Sequence, residues 1–272
     1  MTYKEASTSP VFRLLSRILP KNQDIALELR FYNKLAYWRE ALKRSPLPPT
    51  KLMAMVQGNH EAEYYVAGGR RATETILETL EKSYVPLRQF RTVLDFGCGS
   101  GRVLRHWKSL ARSIELHGTD YNPELVAWAS RLLPFAKIAQ NSLEPPLPYS
   151  DNYFDFVYAL STFTHWDIKL QHTWMKEFLR VLKPNGYILF TVHGDYYLPR
   201  LPKEYQEEYK HGRPIGPALG PTIVGTNAYA SFNPHEHVRD ELLQDVELVE
   251  YFRRASRGTP WQDVYLARKP PR

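Results

Sequence analysis

The sequence has 272 residues, of which 43% are hydrophobic and 13% aromatic; this is enough to bury a substantial core and too apolar for a disordered chain. Its single cysteine, Cys98, excludes a disulfide framework, a cysteine-ligated zinc and an iron–sulfur cluster. No apolar run approaches the roughly 20 residues that span a bilayer, and the N-terminus lacks the apolar region of a secretory signal. We therefore expect a soluble, cytoplasmic, globular protein.

The net charge of +7 is concentrated at the two ends of the chain. Residues 1–50 carry nine basic and four acidic groups, and residues 251–272 carry six and one, so each end is +5 and the middle is −3. A nucleic-acid-binding protein usually concentrates basic groups on its working face. This distribution disfavours a nucleic-acid substrate and favours an ordinary solvated surface.

Prolines separate an N-terminal helical region from the rest of the chain. Residues 24–44 have apolar side chains at helical spacing and predict one long amphipathic helix, and the three prolines within residues 46–49 prevent its continuation. Residues 11–19 predict a shorter basic helix, for which packing on the core is favoured over attachment to a membrane surface. We interpret residues 1–64 as a helical cap or lid, whose helices could also join two copies in a homodimer.

From residue 90 onward the sequence alternates between buried strands and helices. Short apolar runs predict strands at residues 91–96, 114–119, 136–139, 153–160 and 187–192. Helices are predicted at residues 102–111, 123–133 and 167–182. Asn122 and Asp167 are the predicted caps of the last two helices. This alternation predicts a parallel sheet with helices on both faces and right-handed crossovers.

The alternation ends with an insertion at about residues 195–235. Two further strands, at residues 246–253 and 261–268, are joined by a turn too short for a crossover and predict an antiparallel hairpin. The predicted fold class is therefore α/β: a Rossmann-like, seven-stranded, mostly parallel sheet with an antiparallel terminal hairpin, helices on both faces and an N-terminal helical cap. The main domain is predicted to cover residues 65–272.

A glycine loop follows the first strand, in residues 93–102 (VLDFGCGSGR). A doubly wound sheet binds its ligand at this end of its strands. Gly97, Gly99 and Gly101 follow a G-x-G-x-G spacing. The dinucleotide fingerprint needs its third small residue one position later, and that position holds the large side chain of Arg102. The spacing therefore argues against a dinucleotide.

Two carboxylates accompany this loop. Asp120 ends the second strand, where its two oxygens can accept from both ribose hydroxyls of a nucleoside. Asp120 therefore supports binding of a nucleoside but does not distinguish one nucleoside-bearing ligand from another. Asp95 lies just before the glycines, where it would repel a pyrophosphate but could pair with the ammonium of an amino acid moiety.

The sequence resembles the class I S-adenosylmethionine-dependent methyltransferases, and in particular their bacterial small-molecule branch. The resemblance covers roughly residues 65–270. It rests on residues 93–102, 118–120 (GTD), 141–143 (NSL), 153–155 (YFD), 179–186 (LRVLKPNG) and the terminal hairpin. It implies S-adenosylmethionine as the cofactor and S-adenosylhomocysteine as its product.

The resemblance also implies roles for individual residues near the methionine and ribose. The backbone at Gly97, Gly99 and Gly101 would line the methionine part of the cofactor, and Asp95 would lie near its amino group. Asp120 would hold the ribose.

Further residues are implied at the adenine and at the reacting methyl group. Tyr121 would lie against the adenine, and Asn141 would accept from its amino group where the family often has an aspartate. Leu160 and Ser161 would border the methyl group. Arg70 or Arg71 could bind the cofactor carboxylate, although a solvated helix start explains either arginine equally well. The predicted cofactor-binding set is completed by Arg102, Ser142 and Leu143.

Several features favour a small-molecule methyl acceptor. The segment after the fourth strand lacks the Asn/Asp-Pro-Pro-Tyr/Phe motif of amino-adenine and glutamine N-methyltransferases, and the lone cysteine lies in the glycine loop. An aromatic insertion suits an amphipathic or ring-bearing acceptor. Its aromatic residues are Tyr196, Tyr197, Tyr205, Tyr209, Tyr229 and Phe232.

We therefore predict a methyltransferase that acts on an oxygen or nitrogen atom of a small molecule in a biosynthetic pathway. His165 and His193 follow the fourth and fifth strands and are the candidate catalytic bases, with His165 first. One alternative is a nicotinamide-dependent oxidoreductase, which Arg102 and the terminal hairpin oppose. Another is a non-catalytic methyltransferase-like scaffold, which the intact glycine loop and Asp120 oppose.

His235 and His237 alternate in the way that paired metal ligands can. No third ligand stands at a readable spacing from them. We therefore expect surface residues at the start of a helix and no metal site.

Overall fold

The structure is a computed structural model and describes residues 25–42, 45–216, 224–226, 229–259 and 261–271. The chain divides into two compact units, Met1–Ala67 and Gly68–Arg272. The helix predicted at residues 11–19 lies outside the described residues. Within the described ranges, none of the helices combines the length and the apolar character that a membrane crossing requires.

The first unit is helical in its described part. Helices α1 (Ile25–Leu42) and α2 (Thr50–Gln57) are separated by the predicted proline break, and helix α3 (Ala62–Lys82) begins in this unit and continues into the second. Asn33 joins α1 to the start of α3, because its Oδ1 accepts from the backbone N–H of Ala62 at 2.9 Å. The predicted domain boundary after residue 64 lies inside α3 and stays a prediction.

The second unit contains a seven-stranded sheet, which confirms the predicted fold class. Its strands are β1 (Thr92–Phe96), β2 (Glu115–Asp120), β3 (Ala136–Gln140), β4 (Phe154–Ala159), β5 (Leu182–His193), β6 (Glu247–Phe252) and β7 (Gln262–Arg268). The spatial order is β3-β2-β1-β4-β5-β7-β6, with β1 to β5 parallel and β7 antiparallel to both of its neighbours. The strand order reverses between β1 and β4, and a doubly wound sheet binds ligands at that point.

Helices α4 (Pro123–Leu132) and α5 (Ile168–Val181) begin where the sequence predicts. Asn122 Oδ1 accepts from the N–H of Glu124 at 2.9 Å, and Asp167 Oδ1 accepts from the N–H of Leu170 at 2.7 Å. Each cap supplies an acceptor that the first helical turn lacks. A further helix, α6 (Lys203–Lys210), lies in the insertion.

The helix after the glycine loop is a 3₁₀ helix, Leu104–Arg112, and not the regular helix expected at residues 102–111. Three residues per turn align side chains at every third position. Leu104 and Trp107 are fully buried on that line, and Leu110 is partly buried beside them. The apolar spacing of this segment therefore suits the tighter helix.

Strand β5 also begins earlier than expected, at Leu182. Phe154 pairs with Leu182 and Phe156 with Tyr187, so residues 183–186 form a bulge within the strand. The sequence KPNG at residues 183–186, which is typical of a turn, thus lies inside β5.

An aromatic cluster packs α5 against the sheet directly below the glycine loop. Phe96, the residue before Gly97, has its ring centroid 4.5 Å from that of Trp174, and Trp166 stacks on Trp174 at 5.6 Å. The Trp174 Nε1–H donates to the carbonyl of Leu143 at 3.0 Å. This cluster therefore connects the loops that follow β1, β3 and β4.

Trp174→Ala should lower the free energy of unfolding by about 3–5 kcal/mol, because it leaves a large cavity and an unpaired carbonyl. Urea unfolding followed by circular dichroism measures this loss. Trp38, which is 74% exposed, provides the control, since Trp38→Ala should change the unfolding free energy by less than about 0.5 kcal/mol. Equal effects of the two substitutions would contradict the role of the cluster.

Candidate functional site

The glycine loop requires glycine for two separate reasons. Gly97, Gly99 and Gly101 have φ angles of 70°, 57° and 81°, in the left-handed region that side chains disfavour. A Cβ on Gly97 would also collide with Cγ2 of Thr162, and one on Gly101 with the side chain of Leu133. The loops after β1 and β4 therefore meet at Gly97, at the reversal of the strand order.

Asp120 holds this loop against the end of β2. Its Oδ2 accepts from the N–H of Gly99 and its Oδ1 from the N–H of Asn122, each at 2.9 Å. Burial raises the pKa of the carboxyl, and the backbone N–H groups lower it in part. Each carboxylate oxygen has a second lone pair. Asp120 can therefore fix the loop and still accept from ribose hydroxyls.

Asp95 is a buried carboxyl that lacks a full set of partners. It is 3% exposed, and its Oδ2 has no hydrogen-bond partner among the described residues. Burial is the main cause that raises the pKa of Asp95 to about 8; the Tyr158 hydroxyl and the Arg102 guanidinium oppose that rise. An ammonium group at Oδ2 would stabilise the ionised form. The amino group of an amino-acid-bearing cofactor fits this requirement.

Arg102 is buried, and its Nη1 donates to the carbonyl of Gly258 at 3.2 Å. Gly258 lies between β6 and β7, so this contact ties the glycine loop to the terminal hairpin. Arg70 is exposed and Arg71 half-buried on α3. Binding of the cofactor carboxylate by Arg70 or Arg71 stays a prediction, as does a contact of Arg102 with the cofactor.

Gly69 contributes to the packing around the glycine loop, and the sequence analysis missed it. A Cβ at this position of α3 would collide with the backbone oxygen of Arg102, so the helix packs directly on the end of the glycine loop. A pair of glycines inside a helix, Gly68 and Gly69, is the signal that could have found it.

The predicted adenine contacts follow β2 and β3. Asn141 is buried, and its Nδ2 donates to the carbonyl of Ser142 at 2.6 Å. Its Oδ1 is buried without a hydrogen-bond partner in the described part of the chain, so it can accept from an amino group as predicted. Tyr121 is 38% exposed and Leu143 is 39% exposed, which leaves both side chains accessible to a ligand.

Ser161 is held rigidly after β4, beside the half-buried Leu160. Its φ of 62° is unusual for a residue with a side chain. Its N–H donates to Thr191 Oγ1 at 2.8 Å, and its Oγ accepts from Gln262 Nε2 at 2.9 Å. Thr191 in turn donates to Gln262 Oε1 at 2.7 Å. The sequence analysis missed this network, which joins β5 and β7 to the loop after β4.

His165 and His193 meet on one segment of the insertion. His165 Nδ1 lies 2.9 Å from the carbonyl of Tyr229, and His193 Nδ1 lies 3.2 Å from the carbonyl of Ser231. A carbonyl only accepts, so Nδ1 of each neutral ring carries the proton and Nε2 keeps its lone pair. The structure thus brings together both predicted bases in the form that accepts a proton.

Burial lowers the pKa of both rings. It is the main cause for His165 and also for His193, whose pKa falls to about 4 with a further contribution from nearby His165. Both rings are therefore neutral at pH 7.

The insertion supplies an aromatic wall beside His193. Tyr197 has its ring centroid 4.5 Å from that of His193, and Phe232 stacks on the same ring at 5.3 Å. Tyr209 packs in one small apolar cluster with Phe232, and Tyr197 and Tyr205 pack against that cluster. Tyr196 stacks on Trp261 at 4.8 Å. Only part of the predicted aromatic set therefore lies beside the candidate bases.

His237 is buried, and the prediction of a surface position for it is wrong. It is 2% exposed, because the flanking Val238 and Leu242 pack in the core and carry His237 inward with them. His235 is half-buried and stacks on Tyr251 at 4.1 Å.

These observations describe an α/β domain with a glycine loop and unpartnered buried oxygens near the ends of its strands. The unpartnered oxygens of Asp95 and Asn141 and the glycine loop between β1 and β2 all fit S-adenosylmethionine.

Comparison with known proteins finds similarity to methyltransferases. Residues 94–190 match the family model of the methyltransferase domain. A malonyl-[acyl-carrier protein] O-methyltransferase of Enterobacter lignolyticus is 30% identical over 48% of this chain and 49% of its own. A ubiquinone/menaquinone biosynthesis C-methyltransferase of Neisseria meningitidis is 36% identical over 42% of this chain and 47% of its own. The chain thus spans about half the length of these curated relatives.

Solved structures agree on the fold. A crystal structure of SAM-dependent methyltransferases from Methanosarcina mazei is 23% identical to this chain. Its TM-score is 0.50, and the match covers 66% of this chain and 93% of that one. A protein from Pyrococcus horikoshii is 18% identical, with a TM-score of 0.52 over 72% and 90%. The match to the methyltransferase domain and the shared fold support a class I S-adenosylmethionine-dependent methyltransferase domain, with S-adenosylmethionine as its cofactor.

Asp120→Ala should weaken the binding of S-adenosylhomocysteine by about tenfold or more, because it removes charge-assisted acceptors from the ribose and an anchor from Gly99. Titration calorimetry measures the dissociation constant, and thermal unfolding checks that the variant is folded. Asp245 is exposed, and Asp245→Ala is the matched control. An unchanged constant in Asp120→Ala would refute the ribose contact.

His193 should stay neutral until the pH falls to about 4. A folded-state pKa below the unfolded value means that protonation opposes folding, so its contribution to stability is present above about pH 6.5 and lost as the pH falls toward 4. NMR titration of the imidazole C–H signals, assigned with His193→Asn, measures this. A midpoint near 6.5 would contradict the buried environment.

Proposed function

We propose that the chain transfers a methyl group from S-adenosylmethionine to an oxygen or nitrogen atom of a small-molecule acceptor. The observation that carries this proposal is the pair of neutral histidines, His165 after β4 and His193 at the end of β5, whose Nδ1 atoms are bonded to carbonyls so that each Nε2 keeps its lone pair. One relative is named as an O-methyltransferase and another as a C-methyltransferase of ubiquinone/menaquinone biosynthesis, and the second name supports a biosynthetic role.

Alignment is the first task of the site. Bound S-adenosylmethionine supplies an electrophilic methyl group. The glycine loop would hold the amino acid part of the cofactor, and Asp120 would hold its ribose. The rigid turn at Ser161 would border the methyl group. Holding two reactants in line can supply roughly 7–11 kcal/mol of the barrier reduction.

Proton removal is the second task, and we propose His165 for it. An acceptor hydroxyl or ammonium would give its proton to Nε2 of His165. The imidazolium formed keeps its Nδ1–H on the carbonyl of Tyr229, which stabilises the new charge. His193, with a pKa of about 4, is a weaker base, and its Nε2 is better suited to accept a hydrogen bond from the acceptor and orient it.

The acceptor class follows from the wall of the site. Tyr197 and Phe232 flank His193 with ring faces, and such walls favour an apolar or ring-bearing molecule with few polar groups. We propose that the insertion at about residues 195–235 forms the acceptor side of the site.

His165→Asn should lower kcat by about 10²–10⁴ and leave the affinity for S-adenosylhomocysteine unchanged. The asparagine amide can still donate to the Tyr229 carbonyl, so the loop keeps its anchor while the base is lost. The assay follows transfer of labelled methyl from S-adenosylmethionine to a panel of phenols, carboxylic acids and amines.

His211→Asn, at an exposed position of the insertion, is the control for that variant and should retain full turnover. Full turnover in His165→Asn would remove the base and leave alignment alone. Methyl transfer to carbon acceptors only would overturn the choice of oxygen or nitrogen.

The dependence of kcat on pH should show an acidic limb below pH 6.5, because burial lowers the pKa of His165 from its ordinary value. Activity is then present when the ring is neutral and is lost as the pH falls through the lowered pKa. A limb above pH 6.5 would contradict this environment.

Calorimetry also separates the alternatives. We expect binding of S-adenosylmethionine and S-adenosylhomocysteine and no binding of NADH. Tight binding of NADH alone would support the oxidoreductase, and cofactor binding without transfer to any acceptor of the panel would support the scaffold.

A further inference from the structure

A second cluster of metal-ligating side chains lies apart from the cofactor loop, between α5 and the helical segment 235–242. We propose that His172 of α5 and His237 and Glu241 of that segment form a binding site for a divalent transition metal, with Zn²⁺ as the ion of best fit. The site rests on none of the arguments for methyl transfer.

The ligand atoms already lie close together. One nitrogen of each histidine and one carboxylate oxygen all fall within 4.8 Å of one another, and His237 Nδ1 is 3.3 Å from Glu241 Oε2. Tetrahedral zinc with bonds of about 2.0–2.2 Å places its ligand atoms about 3.4 Å apart. Rotations of the partly exposed His172 and the exposed Glu241 would close the remaining gap.

The buried imidazole of His237 is the second observation that points to a ligand. Its side chain is 1% exposed. Its Nε2 has no hydrogen-bond partner among the described residues, and its Nδ1 has only the 3.3 Å approach of Glu241 Oε2. Buried polar groups without partners are rare because they lose hydration without compensation. A metal ion bound at one nitrogen would satisfy this ring.

The donor atoms of the cluster suit zinc, which binds neutral imidazole nitrogen and carboxylate oxygen. Two imidazoles and one carboxylate form a donor set that zinc uses.

The backbone explains how the three residues meet. His237 and Glu241 are four residues apart, so they project from the same side of the helical segment. The segment includes a π-helical turn at Val238–Leu242, and such turns occur often at functional sites. Glu241 is 63% exposed, which leaves room for a water molecule as the fourth ligand.

A metal here would brace the candidate active site from outside. Helix α5 follows the loop that carries His165, and the segment 235–242 follows the carbonyls of Tyr229 and Ser231 that orient both histidines. Zinc at this position would fix those two stretches to each other. We assign it a structural role and no part in the reaction.

The test is a zinc titration of the chelator-treated full chain by calorimetry, with Co²⁺ as a spectroscopic substitute. We expect one zinc per chain, a rise in the thermal unfolding temperature on zinc addition, and the visible absorption of tetrahedral cobalt. His172→Ala and Glu241→Gln should each weaken zinc binding by about tenfold or more. Both changes affect side chains that are not fully buried, so the fold should survive.

Glu236→Gln, at an exposed position of the same segment, and His211→Ala are the matched controls and should bind zinc as the original chain does. Absence of zinc binding at micromolar concentration would overturn the proposal. Equal zinc affinity in His172→Ala and the original chain would also overturn it, because the ion would then be bound elsewhere.

Discussion

The carbonyls of Tyr229 and Ser231 control the chemistry available at the ligand-binding edge of the sheet. Each accepts the Nδ1–H of one histidine, so His165 and His193 both present an unprotonated Nε2. This segment is anchored in turn, because the N–H of Ser231 donates to the carbonyl of Thr164 at 2.9 Å. The insertion therefore does more than cover the sheet: it selects the tautomer of both candidate bases.

The two acids beside the glycine loop illustrate how partners decide the role of a carboxyl. Burial raises the pKa of both Asp95 and Asp120. Asp120 is compensated by backbone N–H donors from Gly99 and Asn122, so it serves the fold as well as a ligand. Asp95 keeps an unpaired oxygen, and a ligand that brings positive charge is needed to complete its environment.

Local patterns explain what could be predicted from the sequence. Apolar runs, the glycine spacing and the cap at Asn122 each lie within a few residues, so the strands, the loop and the helix starts were predictable. Contacts between distant segments were not. Gln262 contacts Ser161 across 101 residues of the chain, and His237 contacts His172 across 65. No local pattern encodes such contacts. The approach of Gly69 to the glycine loop differs, because the glycine pair inside α3 indicates a close contact but not its partner.

The position of β7 has a consequence for biosynthesis. Strand β7 lies between β5 and β6 in the sheet, yet it follows both in the chain. During translation β5 and β6 therefore emerge with edges that have no partner until residues 262–268 leave the ribosome. Unpaired edges recruit other strands and promote aggregation. Codon or temperature changes that slow synthesis between β5 and β7 should therefore reduce the yield of soluble protein more than equal delays upstream of β5.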